Sequence, residues 1–350
     1  MTRIAIDAMG GDHAPHEIVK GAVWAAHEYN VPIELIGRED AINEELEKIK
    51  KHGIQVNQGG LFSSKIRPDF SKLDIKITHA DEVIEMGEAP GQAIRKKKNS
   101  SIVLAVKSVA TNSSDAVVAA GSTGAAMASS LFGLGRLSGV ERPAICVALP
   151  TIKQPLVLID AGANSESSPE MLYQFALMGQ IFSKNVLNVE NPTVGVLNIG
   201  EEAGKGNETV KAAYNLLEQN SDKFNFIGNV EGKELFSGRC NVLVCDGFVG
   251  NVALKIIEGT SSMLFNLLKE EFTRDFGSLL VGMLAKPFLK RIYKRVNYEE
   301  FGGAILLGVR GITVIAHGRS RAYAIKNAVR VAKEAVDSEV TKKISMFYEG

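Results

Sequence analysis

The chain has 350 residues, 45% of them hydrophobic, enough to bury one large core or two ordinary ones. Lys plus Arg and Asp plus Glu number 40 each, so no global field recruits nucleic acid and any basic partner site has to be local. No apolar run reaches the roughly 18 residues of a membrane span, and Met1 leads directly into strand-like TRIAIDAMGG without the pattern of a secretory leader, so the expected location is cytoplasmic.

Arg3 to Asp7 is an apolar run with little alternation, the pattern of a strand buried on both faces. It empties into Ala8-Met9-Gly10-Gly11-Asp12-His13-Ala14-Pro15, followed by helical spacing over Ile18 to Tyr29 and a strand over Ile33 to Gly37. This β-loop-α-β opening predicts a parallel sheet with its ligand site at the carboxyl ends of the strands. Asp7, Asp12 and His13 either meet a ligand there or cap the helix and brace the loop. An amphipathic helix over Ala41 to His52 and a strand over Asp74 to Thr78 come next, with no clear period between Gln58 and Leu73. Arg95, Lys96, Lys97 and Lys98 are consecutive basic residues, suited to an acidic partner or to a solvated face.

Ile102 to Thr111 reads as helix and Asp115 to Ala119 as strand, ending in Gly121-Ser122-Thr123-Gly124 ahead of an Ala-rich helix. The first N–H groups of that helix face whatever occupies the cleft. Ser122 lacks the G-x-S-x-G spacing of a nucleophile elbow and reads as an anion contact or a cap. A strand over Pro155 to Ile159 releases Asp160-Ala161-Gly162-Ala163-Asn164 before a helix over Pro169 to Ser183. Lys184, just after it, either complements the helix dipole or serves a cleft.

The run Val194 to Leu197 delivers Asn198, Gly200, Glu201, Glu202, Gly204, Lys205, Gly206 and Asn207 into a tight loop with a helix from Thr209. Glycines permit close ligand approach, and a lysine beside a helix start favours an anion. The spacing is not that of a Walker A loop, because Gly206 rather than Ser or Thr follows Lys205. A strand over Phe224 to Gly228 ends in Asn229, Glu231 and Gly232, and Val242 to Cys245 exits through Asp246 and Gly247 to Asn251 at the start of a helix. Loops of this kind converging on one sheet edge define a polar cleft, the default binding site. Cys146, Cys240 and Cys245 form no C-x-x-C pair and read as buried thiols; no metal site is expected.

Residues 253–297 differ in grain and read as a helical hairpin within a single catalytic domain spanning 1–350. Its apolar turn holds Leu279, Leu280, Val281, Met283 and Leu284, and a basic stretch with Lys290, Arg291, Lys294 and Arg295 follows. An apolar tip flanked by cations suits an anionic lipid surface, and packing between two copies accounts for the same residues. Phe301-Gly302-Gly303-Ala304 reads as a cleft or packing loop, Thr313 to Ala316 as a strand, and His317 as a site member or a turn histidine.

The segments DAMGGDHAP, AAGSTGAAMAS, LIDAGAN, LNIGEEAGKGNE, GNVEG, CDGFVGNVALK, FGGAILLGVRG and AHGRS run in order from residue 7 to residue 320. Together they resemble the PlsX-type phosphate acyltransferases of bacterial phospholipid synthesis. The resemblance implies transfer of a long-chain fatty acyl group from acyl carrier protein to inorganic phosphate, giving acyl phosphate, without cofactor or metal. It also implies a three-layer α/β/α sandwich with a mostly parallel sheet, similar to phosphate acetyltransferases and isopropylmalate dehydrogenases. A homodimer, peripheral attachment to the inner face of the cell membrane and a downstream membrane acyltransferase complete the expectation.

Phosphate is already a nucleophile near neutral pH, so such an enzyme has to hold it against the thioester and stabilise the oxyanion rather than form an acyl-enzyme. On this reading Lys205 and the glycine-loop N–H groups take phosphate, while Lys184 and Asn229 polarise phosphate or carbonyl. Asn164, Asn198 and Asn251 fix either oxygen, and Glu201, Glu202 and Asp246 organise the lysines. Arg95 to Lys98 and Lys290 to Arg295 are the two patches for an acidic carrier protein. Competing readings are a phosphotransacetylase-like enzyme using acyl coenzyme A, a nicotinamide-dependent dehydrogenase, and a membrane-associated scaffold without chemistry. The dehydrogenase lacks support because no complete G-x-G-x-x-G follows the first strand.

Overall fold

Strands that are apolar on both faces need cover on both sides, and a computed structural model places them in one eleven-stranded sheet between two layers of helices. It describes residues 2–57, 63–296 and 298–349; the side chains at 56, 57, 63, 64, 293–296, 298, 299 and 349 lie outside the description. The first half holds β1 (Ile4–Asp7), α1 (His16–Tyr29), β2 (Ile33–Gly37), α2 (Glu39–His52), a hairpin of β3 (Ile54–Asn57) and β4 (Ser63–Ile66), and β5 (Ile75–His79). After it come α3 (Pro90–Lys96), α4 (Ser101–Ala110), β6 (Ala116–Ala119) and α5 (Thr123–Gly133). Next are β7 (Ala144–Leu149), β8 (Leu156–Ile159), α6 (Pro169–Asn185), β9 (Thr193–Asn198), α7 (Glu208–Gln219), β10 (Asn225–Glu231) and β11 (Val242–Val244). The long helices α8 (Gly247–Thr273) and α9 (Phe276–Val296) precede β12 (Ala304–Leu307), β13 (Ile312–Ile315), α10 (Ala322–Asp337) and α11 (Val340–Glu349).

The strand order is β10-β9-β11-β8-β7-β12-β13-β6-β1-β2-β5. Most neighbours are parallel, but β7 runs antiparallel to β8 and to β12, and β12 antiparallel to β13. Those reversals give β8 to β11 the opposite sense to β13, β6, β1, β2 and β5. The expectation of all exit loops on one sheet edge therefore needs correction: two groups of loops leave at opposite edges. The sequence reading missed β7, and it took the start of β12 for loop, because short runs such as Ala304–Leu307 carry little periodicity.

Helices α1, α2, α6, α7, α10 and α11 cover one face, with Trp24, Phe175, Leu217, Ile325 and Ile344 all buried in the largest core. Helices α3, α4 and α5 cover part of the other face, and Leu254 and Ile257 of α8 pack on the rest. Several polar residues at strand exits are helix caps: Ser122 accepts from Ala125 N, Asn207 from Val210 N and Asp246 from Val249 N. All three cysteines are free and buried.

Glu34 shows how a charge is retained beside this core. Its carboxylate accepts from Ser108 Oγ (2.5 Å), Thr78 Oγ1 (2.6 Å), Ser114 Oγ (2.8 Å) and Lys76 Nζ (2.9 Å), tying β2 and β5 to α4 and the loop after it. Burial opposes ionisation, yet the hydrogen bonds from Ser108, Thr78, Lys76 and Ser114 outweigh it and bring the group down to about 2. A folded pKa below the unfolded one stabilises the fold above the ordinary glutamate range and loses that contribution as pH falls toward 2. The shift from 4.5 corresponds to roughly 3 kcal/mol. Glu34→Gln is therefore expected to be less stable than the parent at pH 7 and to show a flatter acid limb in urea unfolding between pH 5 and 2. Parallel acid limbs would contradict this.

Candidate active site in the cleft along α8

The first group of loops gathers where β1, β6 and β13 end. Asp7 is buried, and its Oδ1 accepts from Met9 N and Gly10 N, both at 3.1 Å, so the carboxyl braces the β1 loop from within. Burial pushes this group above its usual range, against hydrogen bonds from Ser101, Met9 and Gly10. A Cβ on Gly10 would lie 2.6 Å from Asp7 Oδ2 and 2.9 Å from Gly121 N, which explains why glycines meet at this crossing. Asp12 N donates to Gly318 O at 2.9 Å, fastening the β1 loop to the β13 loop. The N-terminus of α5, with Thr123 exposed and Gly124 packed beneath Pro90, opens beside them. Asp7, Gly10, Gly11, Asp12, His13, Gly121, Ser122, Thr123 and Gly124 are thus one neighbourhood, although Asp7 and Ser122 spend hydrogen bonds on the loop and the helix cap.

The second group lies where β8 and β11 end. Asp160 is fully buried; Oδ1 accepts from Ile145 N (3.0 Å), Gly162 N (3.1 Å) and Ala163 N (2.9 Å), and Oδ2 from Asn164 N (2.8 Å) and Asn164 Nδ2 (2.9 Å). Asp160 therefore shapes the loop and leaves no acceptor directed at a ligand. Asn164 also donates to Pro143 O, and its own carbonyl receives Gly247 N, which locates the start of α8. Asn251, one turn into α8, lies against Gly162.

Helix α8 joins the two groups. It leaves β11 at one edge and runs back along the sheet until Lys255 Nζ stands 3.3 Å from His317 Nε2 in the β13 loop. Glu258 Oε2 is 2.8 Å from Lys255 Nζ and 3.9 Å from His317 Nε2. Arg319 N donates to His317 Nδ1 at 3.2 Å. Partial burial and then the Lys255 charge hold the imidazole below its usual pKa, aided by Arg319 and opposed by Glu258 and Asp12. Phe248, Asn251, Val252, Lys255 and Ile256 line a groove of about 370 Å³ on this flank of α8. The sequence reading gave no role to Lys255 and Arg319, which lie inside the segments CDGFVGNVALK and AHGRS, and did not single out Glu258. The signal for Lys255 was its helical spacing of four from Asn251, which puts both on one flank.

Other expected site residues lie elsewhere. Asn198 Nδ2 donates to Lys205 O at 3.0 Å and Asn229 Nδ2 to Glu202 O at 2.9 Å, so both asparagines hold the loop containing Gly200, Gly204 and Gly206. Asn229 is buried and its Oδ1 lacks a partner among the described residues. Glu231 pairs with Lys233 across Gly232, and Glu201 faces Arg239 at 3.8 Å. This loop group stands on β9, five strand positions from β13, about 24 Å at ordinary strand spacing. No hydrogen bond or ion pair among the described residues joins it to the His317 group. Lys184 is a clearer departure. It is exposed at the end of α6, where Gln180 bonds Lys223 just before β10 and Asn185 receives Lys343. That is the edge at which β10 begins, away from the edge where Asn198 and Asn229 emerge.

Among the basic residues, Lys97 is committed to Glu88 and to Val83 O, leaving Arg95, Lys96 and Lys98 as the exposed part of that cluster. Lys290 and Arg291 are exposed on α9, with Arg291 over the Phe288 ring; the side chains of Lys294 and Arg295 lie outside the described residues. Leu279, Leu280, Val281, Met283 and Leu284 are all exposed, Leu284 at 77%. No described helix is long and apolar enough to cross a membrane, and no group of potential metal ligands occurs among the described residues.

Solved structures share this architecture across nearly its whole length. A phosphotransacetylase from Streptococcus pyogenes superposes with a TM-score of 0.61, covering 96% of this chain and 94% of that one at 14% identity. The phosphotransacetylase EutD from Staphylococcus aureus gives 0.57 with the same coverages and identity. The fold is thus that of the phosphotransacetylase-like α/β/α proteins. The model of the family described as "Fatty acid synthesis protein" matches residues 2–343. Proteins named phosphate acyltransferase are similar in sequence: that of Dictyoglomus turgidum is 48% identical over 98% of this chain and 96% of its own, and that of Heliobacterium modesticaldum 49% identical over 99% and 98%. The chain belongs to the PlsX-type phosphate acyltransferase family and is an acyltransferase.

Proposed function

We propose that the enzyme transfers a long-chain acyl group from the thioester of acyl carrier protein to inorganic phosphate, releasing acyl phosphate and free carrier thiol. The observation that carries this reading is the cleft along α8. The glycine loops and the α5 N-terminus offer N–H groups to an anion, and an apolar groove continues from the Asn251 and Lys255 end of the same helix. Arg319 is exposed, its guanidinium has no partner among the described residues, and it follows Gly318, whose carbonyl holds the β1 loop; it is the proposed phosphate anchor. Phosphate attacks the carbonyl directly, so Ser122 and His13 need not act as nucleophile or base. On this reading Lys205, Lys184, Asn198 and Asn229 take no part in holding phosphate or the thioester.

Exposed Arg95, Lys96 and Lys98 are the proposed dock for the acidic carrier protein. Helix α3 starts at Pro90 against Gly124, one short helix from the α5 N-terminus. The exposed apolar residues of α8, Met263, Leu264 and Leu267, are proposed to pair two copies, and the α9 tip to touch the inner face of the cell membrane. There the product would pass to a membrane acyltransferase.

The test is thiol release from long-chain acyl carrier protein with and without inorganic phosphate, the product being trapped with hydroxylamine. Phosphate-dependent release with trapped acyl group is expected, faster than from acyl coenzyme A. Release from acyl coenzyme A alone would transfer the reading to a phosphotransacetylase-like donor, and inertness with both thioesters would overturn it. Arg319→Ala is expected to raise the KM for phosphate tenfold or more, the order of one charge-assisted contact, while Lys205→Ala stays within twofold. The reverse pattern would move phosphate to the β9 loop.

A further inference from the structure

We infer that His317 and Lys255 form a two-donor pocket for the carbonyl oxygen of the thioester, and that this oxygen receives its negative charge between His317 Nε2–H and Lys255 Nζ. The inference rests on the acyl-transfer reading above and assigns a role within the same site.

The geometry fixes the direction of each hydrogen bond. Arg319 N–H donates to His317 Nδ1, so that nitrogen is an acceptor and a neutral ring carries its proton on Nε2. Nε2–H therefore points toward Lys255 Nζ at 3.3 Å, and an ammonium has no lone pair with which to receive it. The acceptor near both, Glu258 Oε2, bonds Lys255 but lies beyond hydrogen-bond reach of His317, so Nε2–H and the remaining Lys255 hydrogens are open to a single oxygen that both can reach. Glu258 Oε2, 2.8 Å from Lys255 and 3.9 Å from His317, offsets the ammonium charge. A pocket of near-zero net charge suits a neutral carbonyl that gains one negative charge in the transition state, and is poor for anchoring dianionic phosphate. Its position agrees: the donor pair closes the end of the flank where exposed Phe248, Val252 and Ile256 line the groove, which places a thioester head at the donors when its chain lies on the apolar residues.

The step balances without a proton from either donor. A phosphate oxygen forms the new C–O bond, and the carbonyl π pair moves onto the oxygen held by His317 and Lys255. Collapse of that intermediate breaks the C–S bond, and the departing thiolate takes up the proton that phosphate gives up. His317 and Lys255 stay in one protonation state throughout.

The test compares His317→Ala, His317→Gln, Lys255→Met and the parent, each checked for an unchanged circular dichroism spectrum and melting point. The side-chain amide of glutamine can place an N–H near the position of Nε2, so it tests the donor rather than the ring. Expected are a fall in kcat of about 100- to 1,000-fold for His317→Ala and Lys255→Met with the KM for phosphate within threefold, and recovery of at least tenfold in His317→Gln. Lys255→Met stands alone as evidence if the histidine variants fail to fold. An unchanged kcat in folded variants, a rise in the KM for phosphate instead of a fall in kcat, or glutamine no better than alanine would each overturn the assignment. Failure of the parent enzyme to release thiol from any thioester would instead overturn the acyl-transfer reading itself.

Discussion

Asp160→Asn is expected to cost roughly 2–4 kcal/mol of stability and at least a hundredfold in turnover, although it leaves the side-chain shape unchanged. One carboxylate oxygen serves three N–H donors and the other serves two. Whichever way an asparagine amide is turned, its NH₂ faces donors instead of accepting from them, and buried groups left unsatisfied cost about 1–3 kcal/mol each. Asn164 cannot repair this by turning its own amide, since its Nδ2 also serves Pro143 O. Activity falls for a separate reason: the same loop sets the start of α8. Asn164 O receives Gly247 N, and a Cβ on Gly250 would lie 1.9 Å from Asp160 O, so helix and loop are in direct backbone contact. A displacement of about 1 Å there moves Asn251 and Lys255 by a similar amount, enough for a hundredfold loss. Urea unfolding and turnover of the folded variant measure the two effects separately. Stability within 0.5 kcal/mol of the parent would show that the loop holds without its carboxylate.

The architecture was legible because most of its strands are apolar runs that meet a Gly, Asp or Asn at their last residue or within two residues after it. Runs such as Ile33–Gly37 and Leu156–Ile159 can only be interior strands of a covered sheet. What a one-dimensional reading could not supply was strand sense. The reversals at β7 and β12 send the Lys205 loop and the His317 loop to different edges, and nothing in either motif records that. Nor does a residue type tell a ligand from a support at a strand exit: Ser122 and Asp246 cap helices, and Asp160, Asn198 and Asn229 hold loops. Lys255 was hidden for the opposite reason. It lies inside a helix, and only the return path of α8 along the sheet brings it to His317.

Replacing both Leu280 and Leu284 by glutamate is expected to weaken binding to anionic vesicles by a hundredfold or more while leaving self-association and turnover on soluble donor intact. Gly282 packs α9 against Phe272 of α8, which fixes the inward side of the hairpin. Successive helical residues turn by about 100°, so Leu279, Leu280, Val281, Met283 and Leu284 spread over most of the remaining circumference. A flat protein partner covers one side of such a helix, whereas lipid can surround it, and Lys290 and Arg291 follow at the level where anionic headgroups would lie. Burying a leucine is worth about 1.5–3 kcal/mol, and the two replaced by charged groups exceed a hundredfold in partitioning. Vesicle sedimentation reads the first effect and analytical ultracentrifugation the second. Monomers that still bind vesicles would assign the tip to the contact between copies. Retained turnover in the variant that no longer binds vesicles would show that the cleft completes its chemistry without the membrane, as a scaffold lacking chemistry could not.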